Sequence, residues 1–245
     1  MKRFLSIDWD FFIDATMEQR CLLFPDGGNE NLPDYLREFI WDSRYRHPDL
    51  KDIKVSSEYN YFYHTCRKFS NGQAFVADSH KWMYYFVMNN TEPDEEFEVY
   101  NIDFHHDLYN FQTSGGEVNC GNWATLLRRD RPNMKYMWVK RLTSDVESAE
   151  KRIFGVEMMN FQAFRTRFRF YNMSLHFSYL FICRSAVWSP PHLDPEFVKA
   201  VKALKCKTAI EQGLLSPRPF DIPKDFSEFQ AFASLVKDAQ TESED

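Results

Sequence analysis

The chain has 245 residues, of which 44% are hydrophobic, and carries a formal net charge of −6. This length and composition allow one large domain or two small ones with a sizeable core. The sequence has no run of about 18 apolar residues and no long basic stretch, so we expect neither a membrane span nor nucleic-acid binding. Acids at positions 8 and 10 interrupt any signal-peptide core, and the five cysteines form no C-x-x-C pair. We therefore expect a cytoplasmic protein with reduced thiols.

Short apolar runs alternate with helical spacings along the chain. Apolar runs predict strands over residues 3–8, 73–77, 97–102, 134–139, 168–170 and 178–183. Apolar residues at helical spacing predict helices over residues 31–46, 79–88, 119–129, 145–153, 194–204 and 226–236. Ser79 and Asp194 are expected to be N-caps, with Pro195 as a first helical residue. The tyrosine-rich segment 58–69 is compatible with either kind of element.

The alternation of strands and helices predicts an α/β fold. We expect a three-layer sandwich, in which helices cover both faces of a mostly parallel sheet. One domain is expected over residues 1–238, followed by a flexible acidic tail over residues 239–245. In such sheets the ligand crevice lies at the carboxyl ends of the strands. The acid and histidine clusters of this chain all follow predicted strands, so we expect them at that edge.

The strand predicted over residues 97–102 runs directly into metal-capable side chains. Asp103, His105 and Asp107 are spaced two apart, so on an extended backbone they point to one side. Carboxylate oxygens together with an imidazole nitrogen suit a divalent cation of intermediate hardness. Taken alone, the segment is also compatible with an ordinary polar loop after a strand.

Two further clusters strengthen the prediction of a metal site. Asp8 and Asp10 end the first strand, and carboxylates this close repel unless a cation or a proton lies between them. His80 follows the strand over residues 73–77 and is either a ligand or a histidine packed near a helix start. Four carboxylates and two imidazoles suit two bridged divalent ions, and manganese is favoured over structural zinc because no cysteine is needed. The six predicted ligands are Asp8, Asp10, His80, Asp103, His105 and Asp107.

These segments resemble motifs of the ureohydrolases, the family of the arginases and agmatinases. Residues 103–107 resemble the Asp-x-His-x-Asp motif, residues 6–10 resemble Ser-x-Asp-x-Asp, and residues 78–80 resemble Gly-Asp-His. Gly121-Asn122 is similar to the Gly-Asn that follows the second motif. In classical arginases Ser-x-Asp-x-Asp comes late, whereas here it opens the chain, an order more similar to the peptide arginases. The resemblance covers residues 3–14, 73–125 and 179–200.

The resemblance implies a dinuclear manganese hydrolase that converts arginine, within a peptide, to ornithine and urea. An arginine-containing peptide or a small guanidinium compound is therefore the expected partner. Asp8 and Asp103 would bridge two Mn²⁺ ions. The resemblance also implies that His80 and Asp107 complete the first ion and that His105 and Asp10 complete the second.

The remaining catalytic roles are less determined. Trp123 stands where arginases have a histidine after Gly-Asn, so His106 is a candidate proton donor, or else a structural histidine. Asn122 is a candidate catalytic residue through its match to the Gly-Asn pair. A carboxylate should hold the cationic guanidinium of the substrate. The candidates for that carboxylate are Asp78, Glu117 and Asp194.

Three other functions stay open at this point. A phosphatase of the haloacid dehalogenase type would use Asp8 as nucleophile and Asp10 as acid, but Phe12 replaces the expected Thr or Val. A single-zinc deacetylase of the same broad fold would use Asp103, His105 and one N-terminal aspartate. A non-catalytic binding protein would keep a decayed site as a scaffold, although all six ligand positions hold competent side chains.

Overall fold

The computed structural model describes residues 1–23, 34–109, 117–144 and 157–219. The strands of its main sheet are β1 (Lys2–Asp8), β4 (Gln73–Ala77), β5 (Phe97–Ile102), β6 (Met134–Lys140), β7 (Glu157–Asn160), β8 (Tyr179–Cys183) and β9 (Lys207–Ile210). All neighbours are parallel, in the order β7-β6-β5-β1-β8-β4-β9. A separate antiparallel pair joins β2 (Ile13–Asp14) to β3 (Lys54–Val55).

The described α-helices connect these strands. They are α1 (Met17–Leu23), α2 (Asp34–Arg44), α3 (Tyr59–Lys68), α4 (Trp82–Met88), α5 (Trp123–Asp130), α6 (Phe161–Arg167), α7 (Met173–His176) and α8 (Asp194–Lys202). Short 3-10 helices lie at Trp9–Phe12, Pro48–Asp52, Phe170–Asn172 and Pro191–Leu193. No described helix is long and apolar enough to cross a membrane.

The two faces of the sheet bury two hydrophobic cores, because successive side chains of a strand point to opposite faces. In β1, Leu5 and Ile7 pack into the first core, whereas Phe4 packs into the second. The first core also contains buried residues of α3, α6 and α8, and the second contains buried residues of α4 and α5. The chain is therefore a three-layer α/β sandwich, which confirms the predicted fold class.

The strand order decides which side chains meet at the carboxyl edge of the sheet. β1 lies in the middle, with Ile7 opposite Ile102 of β5 and Asp8 opposite Cys183 of β8. Ala77, the last residue of β4, also lies opposite Cys183. Since parallel strands end at the same edge, the residues that follow β1, β4, β5 and β8 converge there.

The strand predicted over residues 168–170 is wrong. Phe168 directly follows α6, and Phe170–Asn172 forms a 3-10 helix. Phe168 packs against Phe164, four residues earlier, with ring centroids 5.1 Å apart. The apolar residues of this run are therefore core contacts at helical spacing, and a three-residue run is too short to reveal that period.

The two N-cap predictions are also wrong. Helix α4 begins at Trp82, and Ser79 instead accepts the backbone N–H of Lys81 on its Oγ at 3.2 Å in the preceding turn. Asp194 lies inside the first turn of α8, and its carboxylate binds the guanidinium of Arg218. In both places a short polar side chain makes a different local or ionic contact in preference to capping the helix.

Segment 58–69, which was compatible with a helix or a strand, forms helix α3, and its Phe62 and Cys66 face the core. Several short elements were not predicted. The unpredicted strands and α-helices are β2, β3, β7, β9, α1, α6 and α7. The helices predicted over residues 145–153 and 226–236, and the tail over residues 239–245, lie outside the described residues.

Candidate metal centre

The carboxyl edge of the sheet brings the predicted ligands together. Asp8 is the last residue of β1, and Asp10 lies in the 3-10 helix that follows it. His80 comes three residues after the end of β4, and Asp103 comes directly after β5. Each of these four residues is at least 96% buried, as their relative exposures run from 0% to 4%. Buried carboxylates need a compensating positive charge or bound proton.

The first cluster is built around the imidazole of His80. Its Nδ1 lies 3.1 Å from Asp8 Oδ2, 3.2 Å from Asp103 Oδ2 and 3.0 Å from Asp107 Oδ2. This nitrogen nevertheless makes no hydrogen bond of acceptable geometry within the described residues. The other ring nitrogen, Nε2, lies 2.6 Å from Ser6 Oγ, which fixes the orientation of the ring. One nitrogen and three carboxylate oxygens therefore face the same small space.

The second cluster shares Asp103 with the first. His105 Nδ1 lies 3.2 Å from Asp10 Oδ2 and 3.9 Å from Asp103 Oδ1. The two oxygens of Asp103 thus point to different histidines, with Oδ2 toward His80 and Oδ1 toward His105. In each of the triads Asp8–His80–Asp103 and Asp10–Asp103–His105, the candidate ligand atoms lie within 4.8 Å of one another.

Hydrogen bonds hold the shared ligand in place. Asp103 Oδ1 accepts the backbone N–H of His105 at 2.9 Å, and Oδ2 accepts the side-chain amide of Asn101 at 3.2 Å. The indole N–H of Trp138 donates to the backbone carbonyl of Asp103 at 3.0 Å. Partners of this kind orient ligands and tune the affinity of metal sites.

Asp8 and Asp107 are held in the same way. Asp8 Oδ1 accepts the backbone N–H of Asp10 at 2.9 Å, and its Oδ2 accepts the hydroxyl of Ser185 at 2.5 Å. The indole of Trp123 donates to Asp107 Oδ2 at 2.5 Å. Asp107 and Ser185 both have left-handed backbone conformations, with φ of 52° and 51°. Such conformations are uncommon for non-glycine residues and recur at functional sites, where the surrounding structure holds them.

Burial and mutual repulsion change the acidity of these groups. Burial, followed by the negative charges of Asp10 and Asp103, raises the pKa of Asp8 to about 7. Burial and the charge of Asp107 likewise raise the pKa of Asp103 to about 7. Burial opposes protonation of His80, but the charge of Asp107 and the contacts with Asp103 and Asp8 raise its pKa well above the usual value. The cluster therefore favours bound positive charge.

The second cluster also favours bound positive charge. Burial disfavours protonation of His105, but the contact with Asp10 and its charge raise the histidine pKa to about 9. Burial alone would raise the pKa of Asp10, yet the contact with His105 and the charges of His105 and Arg20 lower it. Neither carboxylate oxygen of Asp10 makes a hydrogen bond of acceptable geometry with the described residues. Buried, unsatisfied carboxylate oxygens next to imidazole nitrogens fit a divalent cation, so these groups can hold a metal ion.

The two predicted catalytic residues lie in the loops after β5. His106 is buried, its Nδ1 accepts the backbone N–H of Leu108 at 3.0 Å, and its ring packs against Tyr109. The side chain of Asn122 accepts the N–H of Asn119 and donates to the carbonyl of Glu117. His106 and Asn122 therefore stabilise these loops, and a catalytic role for either residue stays a prediction.

Two of the three carboxylates considered for guanidinium binding are neutralised by the chain's own arginines. Asp78 pairs with Arg184 at 2.8 Å and with Arg37 at 2.7 Å. Asp194, which is fully buried, binds Arg218 through both oxygens. These pairs argue against a substrate role for either aspartate. The third candidate, Glu117, has an exposed side chain.

Two residues of the centre were missed by sequence reasoning. Ser185 follows β8 and reaches Asp8 from 177 positions along the chain, so no local pattern marks its hydroxyl. Arg20 of α1 is 6% exposed and lies beside Asp10, with Nη1 3.8 Å from Oδ2. A single arginine in a short helix is ordinary in sequence, and only the fold reveals its burial.

A crevice and a larger cavity lie beside the centre. A narrow crevice beside His80 is lined by Cys120, Ser185 and Trp188. It shares the wall residues Arg37, Asp78 and Ala186 with a larger cavity of about 360 Å³. The crevice and the cavity therefore adjoin, beside the His80 end of the centre.

The chain was compared with protein family models, with curated proteins and with solved structures, and none of the three comparisons gives a match. Function therefore has to be inferred from the residues of the centre and their geometry.

Proposed function

We propose that this chain is a dinuclear manganese hydrolase that converts arginine, within a peptide, to ornithine and urea. The observation that carries the proposal is the pair of aspartate–histidine clusters that share Asp103 at the carboxyl edge of a parallel sheet. Shared carboxylates between two ion positions are typical of two-metal hydrolases.

The donor set supports a centre of two ions. His80, Asp8 and Asp107 would hold the first ion, Asp10 and His105 would hold the second, and Asp103 would serve both. Bridging by Asp8 as well stays a prediction, because Asp8 belongs to the triad with His80 and Asp103 and not to the triad of Asp10, Asp103 and His105. Oxygen and imidazole donors without cysteine favour Mn²⁺ over structural zinc. When bound, two such ions make a hydroxide nucleophile available near neutral pH.

The charge of the centre allows a cationic substrate. Four aspartates, Asp8, Asp10, Asp103 and Asp107, lie around two histidines, and their charge would balance that of two Mn²⁺ ions, so the loaded centre has no net positive charge to repel a guanidinium. Hydrolysis breaks the bond between the guanidinium carbon and the side-chain nitrogen of arginine, and water supplies the oxygen of urea. The leaving nitrogen takes a proton and becomes the amine of ornithine. The preference for peptide over free arginine rests on the sequence resemblance.

The other candidate functions use the centre less completely. A single-zinc deacetylase would need one triad and would leave the second histidine–aspartate contact without a role. A phosphatase would need a free Asp8 nucleophile, whereas both of its oxygens accept hydrogen bonds from Ser185 and Asp10.

The test is hydrolysis of arginine-containing peptides by protein loaded with Mn²⁺. Conversion to ornithine removes roughly 42 mass units per arginine and releases one urea, as metal-assisted hydrolysis requires. Asp103→Asn should abolish both signals, whereas the control Asp49→Asn, at an exposed aspartate far from the centre in sequence, should keep them. Turnover of free arginine or agmatine alone would overturn the peptide substrate, and no urea from any guanidinium compound would overturn the function.

A further inference from the structure

Arg20 is a buried cation built into one side of the metal centre. Its Nη2 donates to the backbone carbonyls of Asp10 and Ile13, at 2.9 Å each. Its guanidinium carbon lies 3.9 Å from the ring centroid of Phe104, between the ligands Asp103 and His105. Two carbonyls and an aromatic ring thus fix the guanidinium next to Asp10, with Nη1 3.8 Å from Oδ2.

This placement makes the two clusters electrostatically unequal. Three carboxylates, those of Asp8, Asp103 and Asp107, lie within 3.2 Å of His80 Nδ1. The His105 cluster has Asp10 and a share of Asp103, and the positive charge of Arg20 offsets part of their negative charge. A fixed cation a few ångströms away repels a second cation strongly in a buried site, where water screens little.

The two clusters also differ in their exposure to solvent, and this difference again favours tighter binding in the His80 cluster. The side chain of His80 is 1% exposed, whereas that of His105 is 29% exposed and packs beside Trp188. An ion in the His105 cluster therefore lies nearer to solvent and can exchange with it more easily than one beside His80.

We propose that the two metal positions have different affinities, and that Arg20 sets the difference. The His80 cluster binds its ion first and tightly, and the His105 cluster binds the second ion weakly and reversibly because Arg20 opposes it. This inference rests on the proposed dinuclear function. Its consequence is regulation: the amount of free divalent cation decides what fraction of the protein carries the complete centre.

The first test is a titration of metal-free protein with Mn²⁺, in which calorimetry measures the binding steps and electron paramagnetic resonance measures the coupling between the ions. We expect two binding steps whose dissociation constants differ at least tenfold, with a spin-coupled spectrum only after the second step. His80→Ala should remove the tight step, and His105→Ala should remove the weak step and keep the tight one. Two equal steps, or loss of the tight step in His105→Ala, would overturn the inference.

The second test changes the charge of Arg20. Arg20→Gln should tighten the weak step about tenfold or more, because a buried repulsion of one unit charge is removed, and Arg20→Lys should leave it weak. Arg141→Gln is the matched control, because Arg141 also donates to the carbonyls of Phe11 and Ile13, but its acidic partners are Asp14 and Glu58. Thermal unfolding of each variant shows whether it is folded, and if Arg20→Gln is not, the histidine variants decide the order of binding.

The outcomes separate this inference from the proposed function. Two equivalent ions together with urea release keep the hydrolase and overturn the role of Arg20. A weak step that is unchanged in Arg20→Gln also overturns that role. Binding of one ion only, at any concentration of Mn²⁺, overturns the dinuclear function and the inference together.

Discussion

Removal of metal should make the stability of this protein fall as pH rises. Burial and neighbouring carboxylates raise the pKa values of Asp8 and Asp103 to about 7 in the folded chain, from about 3.8 in an unfolded one. Between these values the folded chain binds more protons than the unfolded chain, so the free energy of unfolding decreases with pH. His105 acts in the same direction, because the folded chain raises its pKa from 6.5 to about 9. Its contribution to the free energy of unfolding is complete below pH 6.5 and is lost as the pH rises through about 9.

The size of the effect follows from the pKa shift. A difference of about three pKa units corresponds to about 4 kcal/mol for one carboxyl. Asp8 and Asp103 share their charge environment, so we take one such shift as the scale for the pair. About two of its three units, or about 3 kcal/mol, are lost between pH 5 and pH 8.5, since the folded pKa is about 7. A chain of this length loses roughly 2–4 °C in Tm per kcal/mol. The metal-free protein should therefore unfold about 10 °C lower at pH 8.5 than at pH 5.

Bound Mn²⁺ should reverse this trend, because the ion replaces the protons that the cluster otherwise needs. Circular dichroism melts with a chelator and with excess Mn²⁺, taken from pH 5 to pH 8.5, measure both curves. We expect the two to lie close together at pH 5 and to separate with increasing pH. Asp103→Asn should flatten the chelated curve. A Tm of the chelated protein that stays level or rises across this range would refute the reasoning.

Four further substitutions and one control test two ligands of the centre, the serine beside it and a buried ion pair. Asp103→Ala should strip both ions, whereas Asp107→Ala should lower occupancy of the His80 position only, as elemental analysis of the purified variants would show. Ser185→Ala removes the hydroxyl that Asp8 accepts and should weaken the tight Mn²⁺ step about 10–100-fold, measured by calorimetry; an unchanged step would place the serine outside the site. Asp194→Ala leaves the Arg218 charge buried without its partner and should cost about 3–5 kcal/mol in chemical denaturation. Arg129→Ala is its control, since Arg129 pairs with Asp130 at the surface and should cost less than about 1 kcal/mol.

The parts of the fold that the sequence predicts best are the short buried strands. Gln73–Ala77 and Phe97–Ile102 have the predicted bounds, because each is an apolar run bordered by polar residues on both sides. The strand Lys207–Ile210 was missed, because it lies at the edge of the sheet and its side chains alternate between exposed and half-buried. Edge strands carry a weaker hydrophobic signal than central ones.

For the candidate centre, the sequence predicts side chains but not their partners. Asp8, His80 and Asp103 could be chosen because each lies just after an apolar run, and the fold does bring them together. Ser185 and Arg20 could not be chosen, since their contacts with Asp8 and Asp10 depend on tertiary packing. The charge balance of the two clusters depends on these partners, so it is a property of the fold.

The central place of β1 also sets the order in which the protein can assemble. The strand pairs with β5 95 positions later and with β8 175 positions later, as Lys2 lies opposite Phe97 and Phe4 lies opposite Tyr179. At ribosomal rates of roughly 5–20 residues per second, β1 waits about ten seconds or longer for its second neighbour. Contacts this distant in sequence make folding slow, and until they form, the apolar β1 exposes both edges to other chains. Asp8, at the end of β1, therefore meets Ser185 only when β8, the last inner strand, is in place.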